Sequence, residues 1–563
     1  MNFKNKRTYL FLSFSLLCTI LFTFPYLIRD FLPLEHDTLF HLSRIEGLAQ
    51  ALNHGDWFAK IYPLKNLGYG YASPLFYCDI FLIIPAILYN LGLNLASCYK
   101  LIIIISTFLS CYLIMNTIYK ISKNNSAAYL AGILYLFNNY RITDVYVRGA
   151  LGEIMGFIFL PIVLLGIYYL LYDDKTKWST LVIGFTGLAL THNITFVLAC
   201  ILFIFFIIFR LKFLLDNKQR ILNIVKAASV TFLLTAFFTL PMLEQLASQK
   251  FYLGSYTSTE SLYTNTIPFW KYFANQTIFG YGSNDTSYDL SMILNIGYFL
   301  MFAPLLYITK RKNINIFIKH SLFIGYILLF LPMQLLPWNY FSFFSLIQFP
   351  WRLLMISTIC LLVPASLIPY EFNYKKSLVT IVLSTLLLCE GIYHILPVLD
   401  RTFGIDSKTS YESLLDGSII DPFYSAHYVR VELAGADYLP VISPDFRGLQ
   451  SVITDDTQLS VNGEINRSYN SMTIKNIEPN KSYILPVTYY LGYQVYTIDT
   501  DDNIISAVPT YQADNSFVQF DANENETYLL KYKSTSIQNI SLWISIGTLI
   551  TLLIIKVRKL LHI

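Results

Sequence analysis

Apolar residues run along this chain in blocks of about 20, the length that crosses the hydrocarbon core of a bilayer, with short polar joints between them. The blocks fall at residues 8–28, 96–118, 126–139, 152–172, 178–192, 194–210, 227–246, 290–308, 315–336, 351–369, 377–396 and 539–555. Twelve transmembrane helices are thus predicted. Their direction follows from where Lys and Arg collect. Basic clusters at Lys120/Lys123, Lys175/Lys177, residues 210–226, Lys310/Arg311/Lys312, Lys375/Lys376 and Lys556/Arg558/Lys559 place those joints and both termini in the cytoplasm. One further apolar run, 74–91, would invert every later joint if it crossed. It is predicted instead as a juxtamembrane or re-entrant helix on the outer side, its ends covered by other helices.

Three regions then lie outside: 29–95, 247–289 and 400–538. In the last, short alternating runs (QLSVNG, SMTIKNI, YILPVTYYLGYQVYTI, SFVQF, TYLLKYK) are broken by Asn, Asp, Gly and Pro. Alternation with period two, punctuated by turn residues, predicts strands and a β-sandwich-like module. The domain plan is a transmembrane module over 1–399 with its first outer loop at 29–95, an extracytoplasmic β-rich domain at 400–538, and a final helix with a cytoplasmic tail at 539–563.

Composition supports a polytopic α-helical membrane protein: 55% of residues are apolar and 13% charged. The first run follows Lys4, Lys6 and Arg7, as a signal peptide would, but it is too long for one and no small-residue cleavage site follows it. The net charge of +4 is spread over membrane-flanking joints, so it gives no reason to invoke nucleic acid. All seven cysteines lie in apolar segments without CxxC spacing, which reads as small buried hydrophobes. The β-rich region has no cysteine to staple it.

On this topology the unusual polar residues collect at the outer membrane face. They lie in LEHDTLFHLSR (34–44), RITDVYVRGALGE (141–153), LTHNIT (190–195) and IQFPWR (347–352). Polar groups at that boundary are costly unless paired or used, so convergence on one cavity is expected. In a helix capped near residues 35–38, Asp37, His41 and Arg44 fall within about 60° of one another, beside Ile45, Leu48 and Leu52. The ionisable stripe therefore faces the buried side, while Ser43, Glu46 and Gln50 lie opposite. A solvated interfacial helix or a local Asp/His/Arg salt bridge is the competing account. Arg141, Arg148 and Arg352 suit a phosphate or diphosphate, because guanidinium is a forked and permanently charged donor. Lipid-headgroup contact competes for each one singly. Glu153 is placed to partner Arg148 or to touch substrate, and His192 caps a helix or contributes to the site. In NLGYGYASPLFY (66–77), Tyr69 and Tyr71 alternate with glycines and are candidates for contact with a sugar.

HDTLFHLSRIEGLAQAL, a turn holding Trp57, and IYPLKNLGYGYASPLFY resemble the bacterial membrane family labelled 6-pyruvoyl-tetrahydropterin synthase-related. That family is similar to the GT-C superfamily of polytopic glycosyltransferases and is related in plan to YfhO-type proteins. The resemblance is sharpest over 36–85, and it extends through RGALGE, LTHN and FPWR and more loosely into GADYLPV (435–441) and LPVTYYLGYQVY (485–496). It implies a GT-C-like fold with an acidic motif in the first outer loop, here Glu35 and Asp37, and a juxtamembrane helix at 74–91. It also implies a polyprenyl-phosphate-linked sugar donor, transfer at the outer face, and a bacterial plasma membrane. Glu-His-Asp replaces the plain acid pair of that superfamily, which leaves open which carboxylate acts.

The expected mechanism has Asp37 as general base on an acceptor hydroxyl, with Glu35 as the alternative. Arg44, Arg141, Arg148 or Arg352 would stabilise the leaving phosphate, and a single displacement predicts inversion. His36 and His41 would contact substrate. Asp37 with His36 or His41 leaves a divalent metal ion open, and no other cofactor is implied. The expected partners are the lipid-linked donor, membrane lipids and a glycan, lipid or protein acceptor. A lipid-linked glycan polymerase or ligase, a flippase or transporter, and a non-catalytic envelope-assembly scaffold are the rivals. A transporter would need midplane polar groups, and these spans are poor in them.

Overall fold

In a computed structural model of the protein, the described residues are 3–33, 35–66, 68–253, 259–273, 292–309, 314–340, 342–371, 376–400, 404–405, 437–441, 453–455, 461, 463–523 and 526–561. Seven helices among them are long and apolar enough to cross a membrane: Lys6–Ile28, Leu95–Ser122, Leu151–Tyr172, Lys218–Ser248, Pro350–Glu371, Leu378–Leu399 and Ser536–Arg558. The protein is thus mainly helical and of membrane type, with β-sheet towards its C-terminus. The other five predicted spans correspond to shorter helices. Asn125–Leu136 has 12 residues, Ser179–Ala189 has 11, Asn193–Phe209 has 17 and Ile316–Phe330 has 15. Tyr298–Phe302 continues only as a 3₁₀ turn. Local polar groups account for these breaks. The His192 side chain accepts the Thr195 N–H and starts a new helix where hydropathy alone reads on. The run at 74–91 is broken into Ser73–Phe76 and Ile80–Asn90, neither of spanning length.

The fold divides into two compact units. The first comprises Met1–Leu42, Leu93–Phe232 and Thr257–Ile419. Within it Leu95–Ser122 packs on Phe3–Ile28, Asn125–Leu136 and Leu151–Tyr172, and Leu353–Glu371 packs on Ile316–Phe330. Pro350–Glu371 is almost wholly buried in this packing. Helix Leu151–Tyr172 contains Pro161, which has no N–H to give the Phe157 carbonyl one turn earlier. The Tyr135 hydroxyl supplies that bond at 2.8 Å, and Thr117 donates to the Pro161 carbonyl at 3.0 Å. Side-chain hydroxyls thus keep the backbone satisfied where water is absent. Two short strands, β1 (Leu32–Pro33) and β2 (Gly404–Ile405), pair antiparallel in this unit.

The second unit comprises Ser43–Gly92, Leu233–Tyr256 and Ile420–Ile563. Its strands are β3 (Thr454–Asp455), β4 (Glu464–Ser468), β5 (Ser471–Lys475), β6 (Lys481–Thr488), β7 (Tyr493–Ile498), β8 (Ile504–Val508), β9 (Thr510–Gln512), β10 (Phe517–Ala522) and β11 (Thr527–Tyr532). They form two antiparallel sheets, ordered β3-β6-β10-β9 and β4-β5-β11-β7-β8. Tyr483, Leu485, Val518 and Phe520 of one sheet share an apolar core with Met472, Ile474, Val495 and Leu530 of the other. Four of the alternating runs read from the sequence carry strands here, whereas QLSVNG lies outside the described residues apart from Val461 and Gly463. Gln245, fully buried, clamps the β6–β7 turn by donating to the Leu491 carbonyl at 2.6 Å and accepting its N–H at 3.2 Å. Most of helix Ser536–Arg558 exposes apolar residues such as Leu549, Ile550, Leu553 and Ile554, a surface suited to lipid rather than water.

Candidate active site

In the first unit the chain leaves β1 and turns at residues 35–37 into helix Thr38–Asn53. The turn is closed by Thr38, whose N–H donates to the Glu35 carbonyl at 3.3 Å and whose hydroxyl donates to the Glu35 carboxylate. Glu35 is wholly buried, and the Tyr26 hydroxyl donates to its other oxygen at 3.3 Å. Two main-chain bonds tie the turn to a second segment: His36 N–H to the Val147 carbonyl at 3.1 Å, and Asp37 N–H to the Arg148 carbonyl at 2.8 Å.

That second segment is a short helix, Asn139–Thr143, followed by one π-helical turn, Asp144–Arg148. Asn138 starts it by accepting the Arg141 N–H at 3.0 Å, and Gly149 ends it in the left-handed region at φ +59. A Cβ at Gly149 would stand 2.8 Å from Glu35 Cβ and from Thr38 Oγ1, so glycine is required there for contact as well as conformation. Leu151 N–H donates to His41 Nε2 at 3.1 Å, which fixes that nitrogen as an acceptor.

The Arg148 guanidinium donates to Asp144 at 2.8 Å and to Glu153 at 2.9 Å, and its charge lies 4.6 Å over the Trp351 ring. Arg352 approaches the same Glu153 oxygen at 3.4 Å and donates to Gln348 Oε1 at 2.7 Å. The Tyr140 hydroxyl donates to the remaining Glu153 oxygen. One buried carboxylate therefore holds two arginines from separate helices. Arg141, also buried, donates to the Ile154 carbonyl at 2.9 Å and lies over Phe157 at 4.4 Å. Among the described residues its Nε and Nη2 have no hydrogen-bond partner.

Asp37 is the half-buried acid of the group, and among the described residues its carboxylate makes no hydrogen bond or ion pair. Burial raises its pKa above the ordinary aspartate value, Arg148 and Arg352 pull it back, and Glu153 adds to the rise. Burial and the nearby Glu153 push Asp144 up further, against Arg148 and Arg141. Asp144, Tyr140 and Trp351 were not singled out from the sequence. The four-residue spacing of Asp144 and Arg148 was the one signal for the first of them.

The structure gathers Glu35, His36, Asp37, His41, Arg141, Arg148, Glu153, His192 and Arg352 in the first unit. His192 caps a helix there, with Nδ1 2.7 Å from the Thr195 hydroxyl. Arg44, Tyr69 and Tyr71 fall in the second unit. Arg44 is fully buried, ion-paired with Asp79, bonded to the Cys78 carbonyl at 3.0 Å and 4.0 Å over the Tyr77 ring. Its charge serves that unit's packing, so it does not supply a phosphate contact in this arrangement. The face opposite the stripe is buried too, where Glu46 accepts from Lys65. Tyr69 has no exposed surface and stacks on Phe517 at 5.5 Å, while Tyr71 packs by Tyr438 at 6.1 Å. Neither ring is a free platform for a sugar. Among the described residues no three His, Cys, Asp or Glu side chains gather as metal ligands.

No family model matches the chain. It is 25% identical over 287 residues to an uncharacterized protein of Lactococcus lactis subsp. cremoris (strain MG1363). That alignment covers 48% of this chain and 45% of the relative, so the chain spans less than half of the length of the protein it matches.

Proposed function

We propose that the protein is a GT-C-like membrane glycosyltransferase. It moves a sugar from a polyprenyl-phosphate-linked donor to a cell-envelope glycan, glycolipid or protein at the outer face of a bacterial plasma membrane. In this reading the chain crosses twelve times, with both termini in the cytoplasm, and the site around Asp37 opens outward. The resemblance of residues 36–85 to the GT-C-like family motivates the class. The observation that carries it is the half-buried Asp37 carboxylate, without a partner among the described residues, tied through its main chain to an arginine.

The roles follow from the chemistry of each group. Asp37 takes the acceptor proton as the hydroxyl attacks the anomeric carbon, and its raised pKa makes it a stronger base than an ordinary aspartate. Arg148 and Arg352 meet the phosphate charge that grows as the lipid leaves. Glu153 holds both arginines in place before the donor arrives, which lowers the reorganisation needed during transfer. Glu35 is locked by Thr38 and Tyr26 and acts as scaffold for the turn. One displacement with one base inverts the anomeric centre.

The test is transfer of labelled sugar from a panel of polyprenyl-phosphate sugars into membrane extract by purified protein, with the product's anomeric configuration determined. An inverted product supports the reading. A retained anomer, or no transfer from any donor, overturns it.

A further inference from the structure

The second unit contains a cavity of about 420 Å³ that the transferase reading does not use. Its walls come from the loop at residues 56–70 and from β4, β5, β7 and β11, all within that unit. A volume of this size is in the range of small-ligand sites.

The loop is shaped to leave that space. Gly68 and Gly70 sit at φ +81 and +88, in the left-handed region. A Cβ on Gly70 would lie 3.4 Å from the Tyr493 hydroxyl, so side chains there would press on the wall. Arg467 pins the loop to the sheet by donating to the carbonyls of Gly68 at 2.5 Å and Pro486 at 2.8 Å. The cavity is therefore bounded by bonded backbone.

Its lining has a definite chemistry. Phe58, Tyr493 and Tyr532 contribute rings, and Ser468, Asn470 and Ser471 contribute short polar groups that both donate and accept. That mixture of flat apolar faces and small hydroxyl or amide groups suits a polyol ring. The charged lining is uneven: Lys60, Arg467 and Lys531 face a single acid, Asp56. Lys60 is half-buried, and among the described residues it makes no ion pair. Burial lowers its pKa against the pull of Cys78 and Asp56, so the ammonium gains further from an anion brought into the cavity.

We propose that this cavity binds a saccharide carrying a carboxylate or phosphate, with Lys60 as its anion contact. The ring lies against the aromatic wall, and the acidic substituent meets the Lys60 ammonium, which feels Asp56 but forms no ion pair with it. A neutral sugar brings the lysine no further counter-charge and binds more weakly.

The experiment is isothermal titration of the full-length protein in detergent with glucuronate, glucose 6-phosphate, glucose and inorganic phosphate. It is repeated on Lys60→Met and on Asn470→Trp, which narrows the cavity at the two-residue turn between β4 and β5. Unfolding midpoints verify that both variants fold. The expected result is binding of glucuronate, glucose 6-phosphate or both, tighter than glucose and than phosphate alone, weakened about ten-fold or more by Lys60→Met. Asn470→Trp should abolish it, and Asp37→Asn in the other unit should leave it unchanged. Preference between the two acidic sugars assigns the substituent as carboxylate or phosphate. No binding of either acidic sugar, equal binding of inorganic phosphate, or binding indifferent to both cavity variants overturns the proposal.

Discussion

The main-chain N–H of Asp37 donates to the carbonyl of Arg148 at 2.8 Å. This bond joins the only loosely held carboxylate among the described acids of the site to the arginine that two other carboxylates hold. The main chains of the proposed base and the proposed phosphate contact are therefore tied together. Any change that shifts one turn carries the other with it.

The raised pKa of Asp37 gives a pH signature. As a base it works only when deprotonated, so transfer should rise with pH through a midpoint above the ordinary aspartate value. The folded state binds this proton more tightly than the unfolded chain does. Its contribution to stability is therefore present in acid and lost as pH climbs from the ordinary value through the raised one. A pH–rate profile with wild type, beside unfolding midpoints of wild type and Asp37→Asn, checks both. Asp37→Asn, neutral at every pH, should flatten that pH dependence of stability while leaving the fold intact.

Glu153→Gln should be strongly destabilising, because it leaves Arg148 and Arg352 close together without the carboxylate that holds both. Removing one partner of a buried pair costs roughly 3–5 kcal/mol. Denaturant unfolding in detergent measures it. Replacing Asp144, Arg148, Glu153 and Arg352 together by apolar residues should cost less than Glu153→Gln alone, while still abolishing transfer.

Gly149→Ala should disturb the site by collision as well as strain. Its Cβ would stand 2.8 Å from atoms of Glu35 and Thr38, against which the turn has no slack. An overpacking cost of about 1–3 kcal/mol and loss of transfer are expected. Gly55→Ala, at φ +77 with nothing within 4 Å, is the control for conformational strain alone. Unfolding midpoints of the two variants should differ in that order.

Arg44→Met should destabilise the second unit without weakening donor binding. Arg44 and Asp79 are buried together, and the Tyr62 hydroxyl donates to the other Asp79 oxygen at 2.5 Å. The loss should again be about 3 kcal/mol or more. Donor affinity equal to wild type, measured on the fraction that folds, is the expected outcome.

These residues also show what the sequence could and could not carry. Asp37 and Arg148 were legible as polar groups at the margin of apolar runs, where an unused charge is costly. Arg44 shares the Asp37 stripe, yet its partner lies 35 residues away, a pairing that helical periodicity cannot reveal. Tyr69 and Tyr71 alternate with glycines, the pattern of a binding loop. Their burial depends on Phe517 and Tyr438, hundreds of residues downstream. The spans were blurred for a different reason: Leu190 to Asn193 break an apolar stretch through one histidine cap, too small a change for hydropathy to register. The strands of the β-rich unit were easier, since β5 and β10 alternate between a shared core and more open positions, whereas β7 and β11 hold runs of three or four buried residues and were marked by their β-branched and aromatic content and flanking turns.

The central claim is that Asp37 is the base of a sugar-transfer reaction. The most direct measurement is transfer and donor binding by Asp37→Asn beside wild type, with unfolding midpoints matched. The account predicts that the substitution lowers transfer by at least about 100-fold, in line with the loss of a general base, while the donor binds as before. Transfer by Asp37→Asn at the wild-type rate would contradict it and assign the base to another group.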